Sequence, residues 1–577
     1  MILQALVRLY EDLASRGEIA RAGWGPAKIS YALCIDEAGR LERLIPLLEE
    51  QQVGKKTVLR PKMMEMPAAV KRSSGIEANF LWDNSSYLLG IDGKGKPERS
   101  AQCFAACREH HQTILGGVET AAARSILAFL RTWDPEEARE HPAVRPELER
   151  LFAGANLTFR VQGSYACEEA EIRAAWESFY EDGEGARMQC LVTGREDVIE
   201  ATHPSISGVV GAQSSGASLV SFNAPAFCSY GREQSYNAPV GRYAAFAYTT
   251  ALNHLLADRD SVQRIGDTTV VCWAEGAEPA YRPVVLGALF GSDQPEWTER
   301  ELRGALKRLA EGKPVEERGL DPQRPFYILG LAPNAARLSV RFFFRDTFGN
   351  LMKNINAHHE RMEIVRAPYA QEILPLWAML RETVNLNTRD KDPSPVVAGA
   401  TARAIFTGAP YPAALMEAVM LRIRAERSIT RGRAAILKAY YLKNPHRDCP
   451  EEVLTVSLHE SSTNVPYTLG RLFSVYEAVQ QQASPGINAT IKDRYFNGAS
   501  STPATIFPVL DNLYQKHLRK LRTQKSGLYL FYDKQVMELK GILGEAYPLR
   551  LSLPQQGSFD LGYYHQTQKR FEKKEET

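Results

Sequence analysis

The cleanest alternation of apolar and polar positions lies at Phe326–Asp346. Leu338, Val340, Phe342 and Phe344 would share one face of a strand, with Arg337, Ser339, Arg341, Phe343 and Arg345 on the other. The pattern predicts a hairpin. Strand-like runs on both sides of Glu37-Ala38-Gly39 predict another, and Thr268–Trp273 reads as a buried strand. LTFRVQG and MQCLVTG predict further strands. Helical spacing marks an amphipathic first segment, then Ala101–Leu115, Glu119–Thr132 and a stretch near Ala170–Tyr180. It also places Tyr248, Ala251, Leu252 and Leu255 on one helical face. Beyond Met352 the chain turns helical. Leu469, Leu472, Phe473 and Tyr476, then Phe507, Leu510, Tyr514, Leu518 and Leu521, then Val536, Leu539 and Leu543 mark three amphipathic helices. Strands and helices mix without a regular β-α-β beat. The expected class is therefore α+β, a mixed α/β N-terminal body followed by a C-terminal α-helical bundle.

A length of 577 residues implies several domains with ample core. The expected division is an α+β body over 1–360, a basic helical segment over 361–450 and a helical bundle over 451–577, with the Pro-bearing stretch Asn444–Pro450 as a linker. Net charge is only +2, so any nucleic-acid surface must be local. The 8 cysteines are mostly scattered, which suits a reducing cytoplasm. Cys103, Cys107 and His110 share one helical face, with His111 beside it, yet no second ligand pair lies at zinc-site spacing. The first segment is neither a signal peptide nor an anchor, and no apolar run approaches membrane-spanning length. The expectation is a soluble cytoplasmic protein with no membrane partner and no cofactor.

Several local constellations suit nucleic acid. Arg60, Lys62, Lys71 and Arg72 precede Asn79, Phe80, Trp82, Asp83 and Asn84. Cations hold phosphates, an Asn can read a base edge, and an aromatic can wedge between base steps. A surface loop over buried Phe80 and Trp82 fits the same residues. The loop before Tyr248 is dense in amides, hydroxyls and rings at Asn223, Ser229, Tyr230, Gln234, Tyr236 and Asn237. It could grip something flat and polar, or satisfy its own backbone. Arg337, Arg341 and Arg345 recur every four residues, about 13 Å at strand rise and roughly two phosphate steps. A solvated strand face has the same pattern. Arg422–Arg447 includes Arg427, Arg431, Arg433 and Lys438 against only Glu426 and Asp448, a one-signed run that favours a phosphate-binding face. Lys516, Arg519, Lys520 and Arg522 give the bundle a basic side.

Catalytic signatures are weak. GKGKPERS lacks the spacing and terminal residues of a phosphate-cradling loop, and GAQSSGAS is not a nucleophile elbow. Asp346, His358, His359 and Glu360 can be drawn as a metal site, but adjacent ligands on a helix diverge by about 100°. The alternative function they would support is a metal-dependent nuclease of a mobile-element or defence system; the expectation is that the chain is not an enzyme.

Four long motifs are RSSGIEANFLWDNSSYLLGID (Arg72–Asp92), the segment Leu219–Glu275, FYILGLAPNAARLSVRFFFRD (Phe326–Asp346) and LSLPQQGSFDLGYYHQTQKRF (Leu551–Phe571). Together, in this order, they closely resemble the large subunit of the type I-C CRISPR surveillance complex, Cascade. The resemblance implies a non-catalytic DNA-binding subunit in which paired guide RNA reads sequence and the protein reads a short adjacent motif. It implies as partners crRNA held at its 5′ handle, target double-stranded DNA, the displaced single strand, and the backbone and crRNA-processing subunits. It further implies a small subunit, which the C-terminal segment resembles and which can be made separately from an internal start, and a helicase-nuclease.

Overall fold

The computed structural model describes residues 2–53, 56–70, 72, 75–182, 185–258, 262–291, 297–389 and 391–569. The chain divides into two compact units. The first comprises Met1–Ser205 with Val220–His254, the second Ile206–Leu219 with Leu255–Thr577. The division between these units falls near 205 and 254; the boundaries expected at 360 and 450 both lie inside the second unit.

The first unit is built on the strand Asn156–Val161, whose Leu157, Phe159 and Val161 are buried. It pairs in parallel with Tyr31–Ile35 and antiparallel with the short strand Trp82–Asn84. Parallel pairing needs a crossover, and the helices Pro97–Leu115 and Ala121–Thr132 lie within it. The hairpin at Glu37-Ala38-Gly39 forms, Tyr31–Ile35 pairing with Leu41–Pro46. A separate antiparallel sheet orders Trp24–Ile29, Lys56–Pro67 and Leu48–Val53. MQCLVTG departs from expectation, because only Arg187–Gln189 is strand. From Cys190 the chain turns back: Gly194 N–H donates to the Cys190 carbonyl at 2.8 Å, and Val192 N–H donates to its sulfur at 3.4 Å. The apolar residues that suggested a strand belong to this turn.

In the second unit a four-stranded antiparallel sheet orders Gln263–Ile265, Thr268–Ala274, Pro325–Asn334 and Arg337–Thr347. Val270, Cys272, Phe326, Ile328 and Phe342 join one hydrophobic core that continues through the helices to Tyr564. The residues expected to form a separate bundle therefore share that core. The Tyr564 hydroxyl, for instance, donates to the Val365 carbonyl at 2.7 Å.

The three expected amphipathic helices are Val465–Ala483, Pro503–Gln524 and Ser526–Leu543; Ile491–Ser501 and Leu553–Lys569 accompany them. Val465–Ala483 and Leu553–Lys569 cross with backbones in contact. A Cβ at Gly470 would lie 1.9 Å from the Phe559 carbonyl oxygen, and one at Gly562 would lie 2.1 Å from that of Tyr467. Only glycine permits this approach. Tyr563 donates to Glu477 at 2.6 Å and Tyr467 pairs with His565 at 2.9 Å, two hydrogen bonds that tie the crossing helices together. Much of the fourth motif is therefore a packing surface. Among the described residues, no helix is long and apolar enough to cross a membrane.

Candidate nucleic-acid interface

The segment expected to read DNA turns inward. Asn79 is 5% exposed; its side-chain oxygen accepts the Val70 N–H at 2.9 Å, and its own N–H donates to Asp83 at 3.0 Å. Phe80 is fully buried and stacks on Trp176 with ring centroids 5.3 Å apart. Trp82 is buried too and donates to the Pro67 carbonyl at 2.8 Å. A base reader and a wedge must reach the surface, so Asn79 and Phe80 are corrected to internal anchors in this fold. Leu81 takes a left-handed φ of 62°, and its N–H is accepted by Nε2 of His111 at 2.9 Å. The other ring nitrogen, Nδ1, faces the Cys107 carbonyl at 2.8 Å. Burial holds the His111 pKa down at about 3, so the ring is the neutral acceptor this contact requires.

Arg72 is likewise committed. Its guanidinium forks onto both carboxylate oxygens of Asp83, one contact measuring 3.0 Å, and lies 4.0 Å over the Tyr87 ring. Asn84 caps the short helix Ser85–Leu88, accepting the Ser86 N–H at 3.0 Å. Arg60 is exposed and Lys62 half-buried on the strand Lys56–Pro67; Lys71 lies outside the described residues.

The amide-rich loop behaves oppositely. Asn223, Ser229, Tyr230 and Gln234 are all exposed, Tyr230 completely. Asn237 ties the loop together: its side chain accepts the Ser229 N–H at 2.8 Å and donates to the Arg232 and Gln234 carbonyls at 3.0 and 2.9 Å. Tyr230, Gly231 and Gln234 have φ values of 54°, 69° and 47°. A non-glycine residue in this region costs free energy, and two of them close together mark a backbone held for its shape. Asn237 satisfies the loop's own backbone, while Tyr230 and Gln234 stay exposed.

On the hairpin, the expected row of arginines is broken. Leu331 pairs with Val340 and Gly330 with Phe342, leaving Arg341 in a bulge. One extra residue reverses the alternation, so Arg337 and Arg345 lie on opposite faces of the sheet. Arg341 is paired with Asp267 at 2.6 Å, and Arg345 lies 5.9 Å over Tyr327, itself stacked on Trp273. A single backbone-tracking row is therefore replaced by three separate placements.

The one-signed run is internal in part. Arg433 is 3% exposed and pairs with Glu426 at 2.5 Å and Glu382 at 3.3 Å. Arg431 donates to the Gln371 and Glu372 carbonyls, and buried Lys438 donates to that of Arg361 at 3.0 Å. Burial lowers the pKa of both Arg431 and Lys438. Arg431 and Arg433 are thus corrected from phosphate contacts to structural ones, while Arg427 stays exposed at a helix end with φ 53°. Lys516, Arg519 and Lys520 remain exposed along Pro503–Gln524, and Lys520 reaches the Ser484 hydroxyl at 3.2 Å.

The residues drawn as a metal site are dispersed in environment. His358 is buried against the Tyr411 hydroxyl at 2.7 Å, whereas Glu360 and Asp346 are exposed, the latter accepting from Asn350. Among the described residues, no group of three His, Cys, Asp or Glu side chains is placed to hold one metal.

A family model described as CRISPR-associated protein (Cas_Csd1) matches residues 6–571. The chain belongs to the Cas_Csd1 family. This is the family of the type I-C Cascade large subunit, as the four motifs implied, and it makes the protein a CRISPR-associated Cascade component. No curated protein sequence matches the chain. In this Cas_Csd1 protein, GKGKPERS is not a nucleotide-binding loop, yet it places Lys94, Lys96 and Arg99 close together in a glycine-punctuated turn.

Proposed function

We propose that this chain recognises the protospacer-adjacent motif in target double-stranded DNA, begins strand separation and stabilises the resulting R-loop. In this reading it sits at the crRNA 5′-handle end of Cascade, beside the backbone, crRNA-processing and small subunits, and recruits the helicase-nuclease. The observation that carries the reading is the loop Asn223–Asn237, which presents a completely exposed Tyr230 from a backbone clamped by Asn237. An exposed ring can stack on or part a base step, and the neighbouring Gln234 and Asn223 amides can meet base edges. Holding the loop in advance lowers the ordering cost of binding. The exposed Lys516, Arg519 and Lys520 supply a surface for the phosphates of the displaced strand.

The test is DNA binding by the assembled complex carrying Tyr230→Ala and Gln234→Ala. Affinity for an intact duplex with the adjacent motif should fall by about 1–3 kcal/mol, while binding to an already melted target changes far less. Equal losses on both substrates would remove the recognition role from this loop.

A further inference from the structure

The GKGKPERS turn closes one end of a cleft of about 380 Å³ in the first unit. Lys94, Lys96 and Arg99 line it from this side, and Asn84 and Ser86 line it from the short helix that follows the inward-turned segment. All three cations are exposed, and none has an acidic partner among the described residues. Asp92 is the carboxylate in the lining, and it is already occupied. It accepts the Lys94 N–H and the Ser100 hydroxyl, and these contacts, Ser100 first, lower its pKa. Its role is to hold the turn that carries the lysines. Arg72, also in the lining, is balanced by Asp83 behind it. With Arg72 and Asp83 cancelling, three cations face one carboxylate.

A larger cleft of about 780 Å³ in the same unit makes a useful contrast. There, Arg8, Arg21, Arg195 and Arg242 are matched by Glu11, Glu177, Glu196 and Asp197, and such a lining has no net preference for an anion. The smaller cleft has one. Its cations can meet phosphate oxygens, and the Ser86 hydroxyl and Asn84 amide add uncharged hydrogen-bonding groups.

We infer that Lys94, Lys96 and Arg99 form a phosphodiester-binding pocket that grips the backbone of the target duplex. The inference rests on the DNA-binding reading above and deepens it: base contacts come from the exposed loop, and this pocket supplies sequence-independent hold. Neutralising a phosphate contact lowers affinity for every sequence alike and reduces the salt dependence by about one counterion per contact.

The experiment compares wild-type complex with the Lys94→Gln, Lys96→Gln, Arg99→Gln triple variant on a labelled duplex, with and without the adjacent motif, across a salt series. A Lys94→Arg, Lys96→Arg variant controls for charge, and melting curves check folding. The triple variant should bind both duplexes more weakly by roughly tenfold, with a log–log salt slope shallower by about two to three. The charge-preserving variant should bind as wild type does. An unchanged slope in a folded triple variant, beside a steep wild-type slope, overturns the pocket while leaving the DNA-binding reading intact. A loss confined to a labelled crRNA 5′-handle oligonucleotide overturns the duplex assignment. Wild-type complex without salt-dependent duplex binding would refute the underlying reading itself.

Discussion

The fold treats two cationic stretches of its second unit in opposite ways. Along Arg431–Lys443, Arg433 and Lys438 are buried among acids and carbonyls; along Pro503–Gln524, Lys516, Arg519 and Lys520 face outward. Locally the first stretch looks more like a nucleic-acid surface, because fewer acids interrupt it. Its partners are only partly local: Glu426 lies seven residues from Arg433, but Glu382 lies on another segment, and the Arg361 carbonyl that takes Lys438 lies 77 residues upstream. The second stretch has an amphipathic period that commits Leu510, Tyr514, Leu518 and Leu521 to the core and leaves the cations on the remaining face. Sign density says that partners are needed; helical phase says whether those partners can be solvent and phosphate.

The contrast is broken most sharply at Arg433. Arg433→Ala would leave Glu382 and Glu426 facing each other without their shared cation, and burial alone already pushes the Glu382 carboxyl up. Removing one member of a buried pair costs about 3–5 kcal/mol, which denaturant unfolding of the purified chain would register. A variant within about 0.5 kcal/mol of wild type would return Arg433 to the surface class.

A second measurement sharpens the comparison with the inward-turned segment of the first unit. His111 must be neutral to accept the Leu81 N–H, and its pKa falls from 6.5 unfolded to about 3 folded. Its contribution is therefore fully present above pH 6.5 and is lost as pH falls from there toward 3. The loss amounts to roughly 1.4 kcal/mol for each pH unit at most. Unfolding midpoints of wild type and His111→Gln across this range should converge as the medium becomes acidic. Parallel curves would show that the ring carries no such linkage.

The smallest stability effect belongs to the outward face. Lys516→Gln, Arg519→Gln and Lys520→Gln together should leave stability within about 0.5 kcal/mol, while the salt slope for single-stranded DNA becomes shallower by up to about two. A large loss of stability there would erase the distinction between the two stretches.

The same logic separates the two candidate reading segments. Asn79 and Asn237 are both asparagines in polar, aromatic surroundings, and both tie backbone together. Asn79 does so under Phe80 and Trp82, which the core absorbs, and Asn237 beneath a loop whose Tyr230 meets no core at all. Nothing local distinguishes these cases, since an aromatic near an amide is compatible with either.

What the sequence determined by itself is the part governed by short periods and long motifs. The α+β class, the Phe326–Asp346 hairpin, the helical C-terminal region and membership of the Cas_Csd1 family were all legible. Side-chain alternation and helical phase are set by backbone geometry within a few residues. Tertiary structure alone decided the bulge at Arg341, the burial of Asn79 and Arg433, and the single core running from Ile265 to Tyr564. Each depends on partners that local periodicity does not reveal. An extra residue is a bulge only against the strand that pairs with it, and a charge is internal only where a remote acid or carbonyl replaces its water.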